Sequence, residues 1–228
     1  SKDMFIYEIV KNMFEGSIQE RKLGAVQWEN LPNYLEGYDE GDVIVCADIS
    51  SSMNNEQCKP MYNSIGLATY FAQRNKGIFK NKYMMFSSKP MLVDLDSFGE
   101  GLATHELMNK IQGFYQGSIY NTNFEATLQE LYKYVKTSVK DGTYEPSIVP
   151  LAMLYVTDTQ FDSIVLDSDN SKTLVQTYKA KFEKLAKKHK IEGLALPNIV
   201  FWNVAQSTSN VQAKGNITKA IFTFQEEK

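Results

Sequence analysis

Apolar residues along this chain fall into two kinds of run. Short continuous blocks come first: Val43-Ile44-Val45-Cys46-Ala47, Pro150-Leu151-Ala152-Met153-Leu154-Tyr155-Val156 and Asn198-Ile199-Val200-Phe201-Trp202-Asn203-Val204. Blocks of this length, rich in β-branched and aromatic residues and bounded by polar ones, predict strands buried on both faces, as in a parallel sheet. Tyr83-Met84-Met85-Phe86 and Met91-Leu92-Val93-Asp94-Leu95 predict two shorter strands around the turn Ser87-Ser88-Lys89-Pro90, and Ala220-Ile221-Phe222-Thr223-Phe224 a last one. Between the blocks the apolar spacing becomes helical. Met61, Ile65, Ala68 and Ala72 follow a Pro60 suited to a first helical turn; Leu107, Ile111 and Phe114 follow Thr104. Phe124, Leu128, Leu131, Val135 and Val139 mark another helix, and Leu174, Tyr178, Phe182 and Leu185 a longer one over about 172–190. Strands alternating with helices predict an α/β fold, a doubly wound, mostly parallel sheet of Rossmann-like type with helices on both faces. Residues 1–38 read as an N-terminal helical extension, with one amphipathic helix through Met4, Ile6, Ile9, Val10, Met13 and Phe14 that stops near Gly16; the main domain is 39–228.

Composition narrows the function. The chain has 228 residues, 43% of them hydrophobic and 22% charged, which suits an ordinary globular domain with a normal core. No apolar run is long enough to span a bilayer, and Ser1-Lys2-Asp3-Met4 does not begin a secretory signal. A net charge of -3, with Arg21 and Arg74 the only arginines, argues against direct nucleic-acid binding. Cys46 and Cys58 form neither a disulfide framework nor a zinc spacing, so an intracellular, cytoplasmic setting is expected, with Cys46 in the core. Trp28 and Trp202 read as packing residues, and His105 and His189 as ordinary helix residues far from the strand ends. Lys179 to Lys190 reads as a solvated helix face whose last turn complements the macrodipole, in preference to a phosphate patch.

The chemistry lies where the first buried strand ends. Asp48-Ile49-Ser50-Ser51-Ser52 places a carboxylate and two hydroxyls on alternate residues, which on an extended loop face one point. All are hard oxygen donors, the set that prefers Mg2+, with Mn2+ or Ca2+ possible, over zinc. In wound sheets ligands bind at the carboxyl ends of the strands, where strand order reverses. Two more loops are expected at that rim: Asn121-Thr122-Asn123 and Thr157-Asp158. The bland alternatives are turn and cap chemistry for the Asp-Ser triplet, N-capping for Thr122 and Asn123, and a plain strand-end turn for Asp158; Asp162 reads as a surface acid.

Asp48, Ser50, Ser52, Thr122 and Asp158, in that order, resemble the metal-ion-dependent adhesion site of von Willebrand factor A domains. The resemblance implies that the hydroxyls bind the metal directly, that the aspartates act largely through water, and that an acidic group of a protein partner completes the coordination. Thr159 stands where that family usually has Gly. Val156 to Asp162, Pro197 to Val204 and Met85 to Pro90 further resemble the uncharacterised domain-of-unknown-function 2828 proteins of plants, fungi and large DNA viruses. The expected function is a Mg2+-dependent protein-binding module without catalytic residues. One alternative is a scaffold domain of an RNA-associated protein, because the Ro ribonucleoprotein carries a distantly similar domain. The other is a Mg2+-dependent phosphatase of the haloacid dehalogenase type; that chemistry wants a second acid two residues after the first, where this chain has Ser50.

Overall fold

The computed structural model describes residues 5–36, 41–54, 59–86, 89–115, 123–158 and 174–204. In chain order the elements are α1 (Ile6–Glu15), α2 (Ile18–Glu29), β1 (Val43–Asp48), α3 (Lys59–Arg74), β2 (Lys82–Phe86), β3 (Met91–Asp94), α4 (Thr104–Tyr115), α5 (Phe124–Asp141), β4 (Ala152–Thr157), α6 (Leu174–His189) and β5 (Asn198–Asn203). The expected strand at Ala220–Phe224 lies outside the described residues.

The fold is α/β, and the described residues form one five-stranded, mostly parallel sheet in the order β3-β2-β1-β4-β5. β1 runs parallel to both β2 and β4, and β4 parallel to β5; β3 alone is antiparallel, paired with β2 at one edge. From β1 the chain moves outward through β2 and β3, then returns to add β4 and β5 on the other side. The carboxyl ends of β1 and β4 therefore flank the point where strand order reverses.

β1 and β4 are buried along their whole length, which is why their sequences are continuous apolar runs without alternation. Successive residues serve two cores. Val43, Val45 and Ala47 join a cluster with α1, α2, α3 and α4, whereas Ile44 and Cys46 join a second with α5 and α6. In α4 the deepest residues are Met108 and Ile111, with Leu107 and Phe114 packed at the margin.

α2 (Ile18–Glu29) is a second N-terminal helix that the apolar pattern does not announce. Its start is written in a capping box, with Glu20 N–H donating to Ser17 Oγ (3.3 Å) and Ser17 N–H to Glu20 Oε2 (2.7 Å). Arg21 braces the α1–α2 turn: Nε donates to Gly16 O, Nη2 to Phe14 O and Nη1 to Asn109 Oδ1 of α4. Trp28 is buried and its Nε1–H donates to Gln73 Oε1 at 2.8 Å, tying α2 to α3.

α3 is covered by the sheet and by α1, so its residues are buried nearly all round. The α1 crossing is close at Gly66, where an added Cβ would lie 2.4 Å from Ile6 Cγ2 and 3.0 Å from Val10 Cγ2. Gly66→Ala should therefore destabilise the chain. An overpacking cost of about 1–3 kcal/mol, against stiff β-branched neighbours, exceeds the roughly 1 kcal/mol gained in helix propensity. Urea unfolding followed by far-UV circular dichroism should show a lower midpoint; an unchanged one would mean that α1 can move aside freely.

Candidate metal centre

Site geometry starts at the last residue of β1. The Asp48 carboxylate is fully buried, and the backbone turns around it: Ser50 N–H donates to Asp48 Oδ1 at 2.9 Å, an Asx turn. Met53 N–H then donates to Ser50 O at 3.0 Å, opening a 3-10 turn over Ser51–Asn54 that is anchored by the buried Met53. The loop is thus wound, not extended as the alternation of Asp48, Ser50 and Ser52 suggested. The oxygens still converge, because the Asx turn folds Ser50 back and the 3-10 turn lifts Ser52 beside it. Ser50 Oγ and Ser52 Oγ are 3.0 Å apart.

The neighbouring strand completes the cluster. Thr157, the last residue of β4, donates its hydroxyl to Asp48 Oδ2 at 2.6 Å. Ser52 Oγ donates to Asp158 Oδ1 at 3.1 Å. Parallel pairing of Ala47 with Val156 places the two strand ends side by side, so residues more than a hundred apart in sequence share one rim. Asp48, Ser50, Ser52 and Asp158 are brought together; Thr122 lies outside the described residues. Asn123, next to it, acts as the N-cap of α5, with Ala126 N–H donating to Asn123 Oδ1 at 3.0 Å, as the capping alternative anticipated.

Sequence reading missed Thr157. Its position beside Asp158 was visible, but its hydroxyl points to Asp48 only because of strand pairing. Burial pushes the Asp48 carboxyl above the ordinary range, the hydrogen bonds from Thr157 and Ser50 oppose that shift, and the charge of Asp158 adds to it. Thr157→Val should remove a donor from a buried carboxylate at a cost of about 1–3 kcal/mol, and should raise the Asp48 pKa further. Chemical denaturation and carboxyl-carbon NMR titration would measure the two effects, and no change in either would show that water replaces the hydroxyl.

Asp48 lies at the floor of the cluster, Ser50 and Asp158 are half-buried above it, and Ser52 is exposed, so the rim is open to a ligand. Ligands at adjacent corners of octahedral Mg2+, each about 2.1 Å from the ion, sit about 3.0 Å apart. The Ser50–Ser52 and Ser52–Asp158 oxygen separations of 3.0 and 3.1 Å match that edge. Among the described residues no three or more His, Cys, Asp or Glu side chains gather at one point, so a cation here would rely on hydroxyls and water beside two carboxylates. His105 is half-buried on α4 and His189 is exposed at the end of α6. Cys46 lies beneath the floor, fully buried, its thiol pushed up to about 12 by burial and hence inert. Tyr155 closes that layer with a 2.5 Å hydroxyl contact to Thr127.

An α/β domain with a wound hydroxyl-carboxylate rim at the β1/β4 reversal is the class that fold and geometry define. The chain belongs to the family described as a domain of unknown function, DUF7788, whose model matches residues 42–223. No curated protein and no solved structure matches it.

Proposed function

We propose that this chain is a von Willebrand factor A-type domain, doubly wound, with helices on both faces of its sheet. In this reading it holds one Mg2+ at an adhesion-type site and uses the ion to bind an acidic group of a protein partner. The observation that carries the reading is the bridge between β1 and β4: Ser52 Oγ reaches Asp158 Oδ1 at 3.1 Å while Thr157 holds Asp48. Ser50, Ser52 and Asp158 would face the ion, Asp48 would supply buried negative charge beneath it, and Thr122 would add a hydroxyl from the loop before α5. Mn2+ or Ca2+ could substitute, since the donors are all oxygen. A partner carboxylate would fill an outward coordination position, where partial dehydration strengthens the ion pair.

The same reading includes kinship to the 2828 proteins, a cytoplasmic setting and a role in binding without catalysis. Among the described residues no helix is long and apolar enough to cross a membrane, which fits a domain that works in water.

Calorimetric titration of Mg2+ into the EDTA-treated chain tests the site. Saturable binding is expected, with loss in the double variant Ser50→Ala/Ser52→Ala. An absence of binding by the wild-type chain would sink the proposal. Mg2+-dependent phosphatase turnover that disappears in Asp48→Ala would replace it with an enzymatic one.

A further inference from the structure

α6 buries Leu174, Tyr178, Phe182 and Leu185, packs Val175 and Ala186 at the margin, and turns its outer face to solvent. On that outer surface and the residue following the helix stand Lys179, Lys181, Lys184, Lys187, Lys188 and Lys190, all exposed, with Glu183 as the one acid between them. Among the described residues none of them has a carboxylate partner, and the ion pair found there joins Lys82 to Asp94 elsewhere. The helix dipole accounts for Lys187 and Lys188 in the last turn but fades before Lys179, Lys181 and Lys184. Lysines three and four apart, such as Lys184 with Lys187 and Lys188, repel one another on a helix. The described residues therefore bear a local concentration of positive charge that no carboxylate among them pairs.

Four observations select the partner. The chain is net acidic, at -3, although this stretch is strongly basic, so its remaining surface repels polyanions. A long nucleic acid would soon leave the basic stretch, which spans about 16 Å at 1.5 Å per residue. The face holds lysine and no arginine, so it lacks the planar forks that grip phosphate bidentately. No exposed large hydrophobic residue lies on α6, so nothing there would enter a bilayer. A short acidic stretch of polypeptide fits both the length and the charge.

We propose that the lysine face of α6 is a docking surface for a short acidic segment of a partner protein. It stands on α6 alone and needs no cation, so it can be tested separately from the strand-end site. The probe is a fluorescein-labelled peptide of alternating Asp and Glu, read by anisotropy against the full chain in EDTA. Binding is expected at low salt and should weaken as salt rises. The triple charge reversal Lys184→Glu/Lys187→Glu/Lys188→Glu should weaken it roughly tenfold or more, and replacement of the same lysines by Arg should preserve it. A second, neutral variant, Lys179→Gln/Lys181→Gln/Lys184→Gln, should also weaken binding and guards against misfolding of the first; circular dichroism confirms the fold of each. Failure of the peptide to bind the wild-type chain, or binding by both variants as tight as by the wild type, would overturn the proposal. Tighter binding of an RNA oligonucleotide or of phosphatidylserine vesicles than of the peptide would overturn it too, in favour of that class of partner.

Discussion

Asp48→Asn should abolish the Mg2+ response of this chain while leaving the metal-free fold at least as stable as the wild type. The two effects have opposite signs for one reason. The Asp48 carboxylate is buried, and burial holds its pKa above the ordinary value despite the hydrogen bonds from Thr157 and Ser50. A folded-state pKa above the unfolded one means that the folded chain binds this proton more tightly. Its contribution is fully present below the unfolded pKa and is lost as pH rises through the folded one. In EDTA, stability of the wild type relative to Asp48→Asn should accordingly fall over that rise. Mg2+ reverses the balance by supplying positive charge beside the ionised group. At about a hundred times its Kd a ligand that binds only the folded state adds about 2.7 kcal/mol. For a chain of this size that is a rise in Tm of about 5–10 °C. Thermal unfolding of both proteins with Mg2+ and with EDTA reads all of these quantities. An equal Mg2+ shift in the variant would remove Asp48 from the site.

Asp42→Ala is expected to be the most damaging substitution away from that rim. Asp42 precedes β1 and is buried, with Oδ1 accepting from Lys76 N–H and Gly77 N–H at 3.0 and 2.9 Å, and Oδ2 accepting from Phe79 N–H at 2.9 Å. One carboxylate thus holds the whole connection from α3 to β2 against the start of the central strand. Asn75 closes the same joint from the other side, accepting from Val43 N–H and donating to Val43 O and Phe79 O. Removing the carboxylate orphans three backbone donors, of which water can reach those of the outer loop; a loss of about 3 kcal/mol is expected. Asp42→Asn keeps an oxygen for the Lys76 and Gly77 donors but turns an amide toward Phe79 N–H, so it should lose less than Asp42→Ala. Equilibrium urea unfolding of the pair gives the comparison. Equal destabilisation by both would show that charge, and not acceptor geometry, holds the joint.

These two aspartates differ in how visible they are in the amino-acid sequence. Asp48 ends a continuous apolar run and opens an Asp-x-Ser-x-Ser spacing, so both the strand and the candidate site could be read there. Asp42 sits before the same run with no pattern around it, because its partners are backbone N–H groups of a loop thirty-odd residues later, and a backbone donor leaves no trace in residue type. The α2 helix shows the same limit. Its capping box was present in Ser17 and Glu20, but its exposed face carries Ile18, Leu23 and Val26, so apolar and polar residues do not segregate and helical periodicity is lost.

By itself the sequence determined most of the local alphabet of this protein: the five described strands, every described α-helix but α2, and the oxygen donors at the ends of β1 and β4. Burial and periodicity act over a few residues, so they are written in residue type. Tertiary structure alone decided the strand order, the wound loop that replaces an extended one, and the bond from Thr157 to Asp48. It also decided which face of each strand meets which helices. The strand order and the Thr157–Asp48 bond depend on pairing of segments far apart in the chain, which is set by the packing of the whole sheet and which no short window of sequence encodes. The wound loop follows from local hydrogen bonds to Asp48 and Ser50 that residue type does not announce.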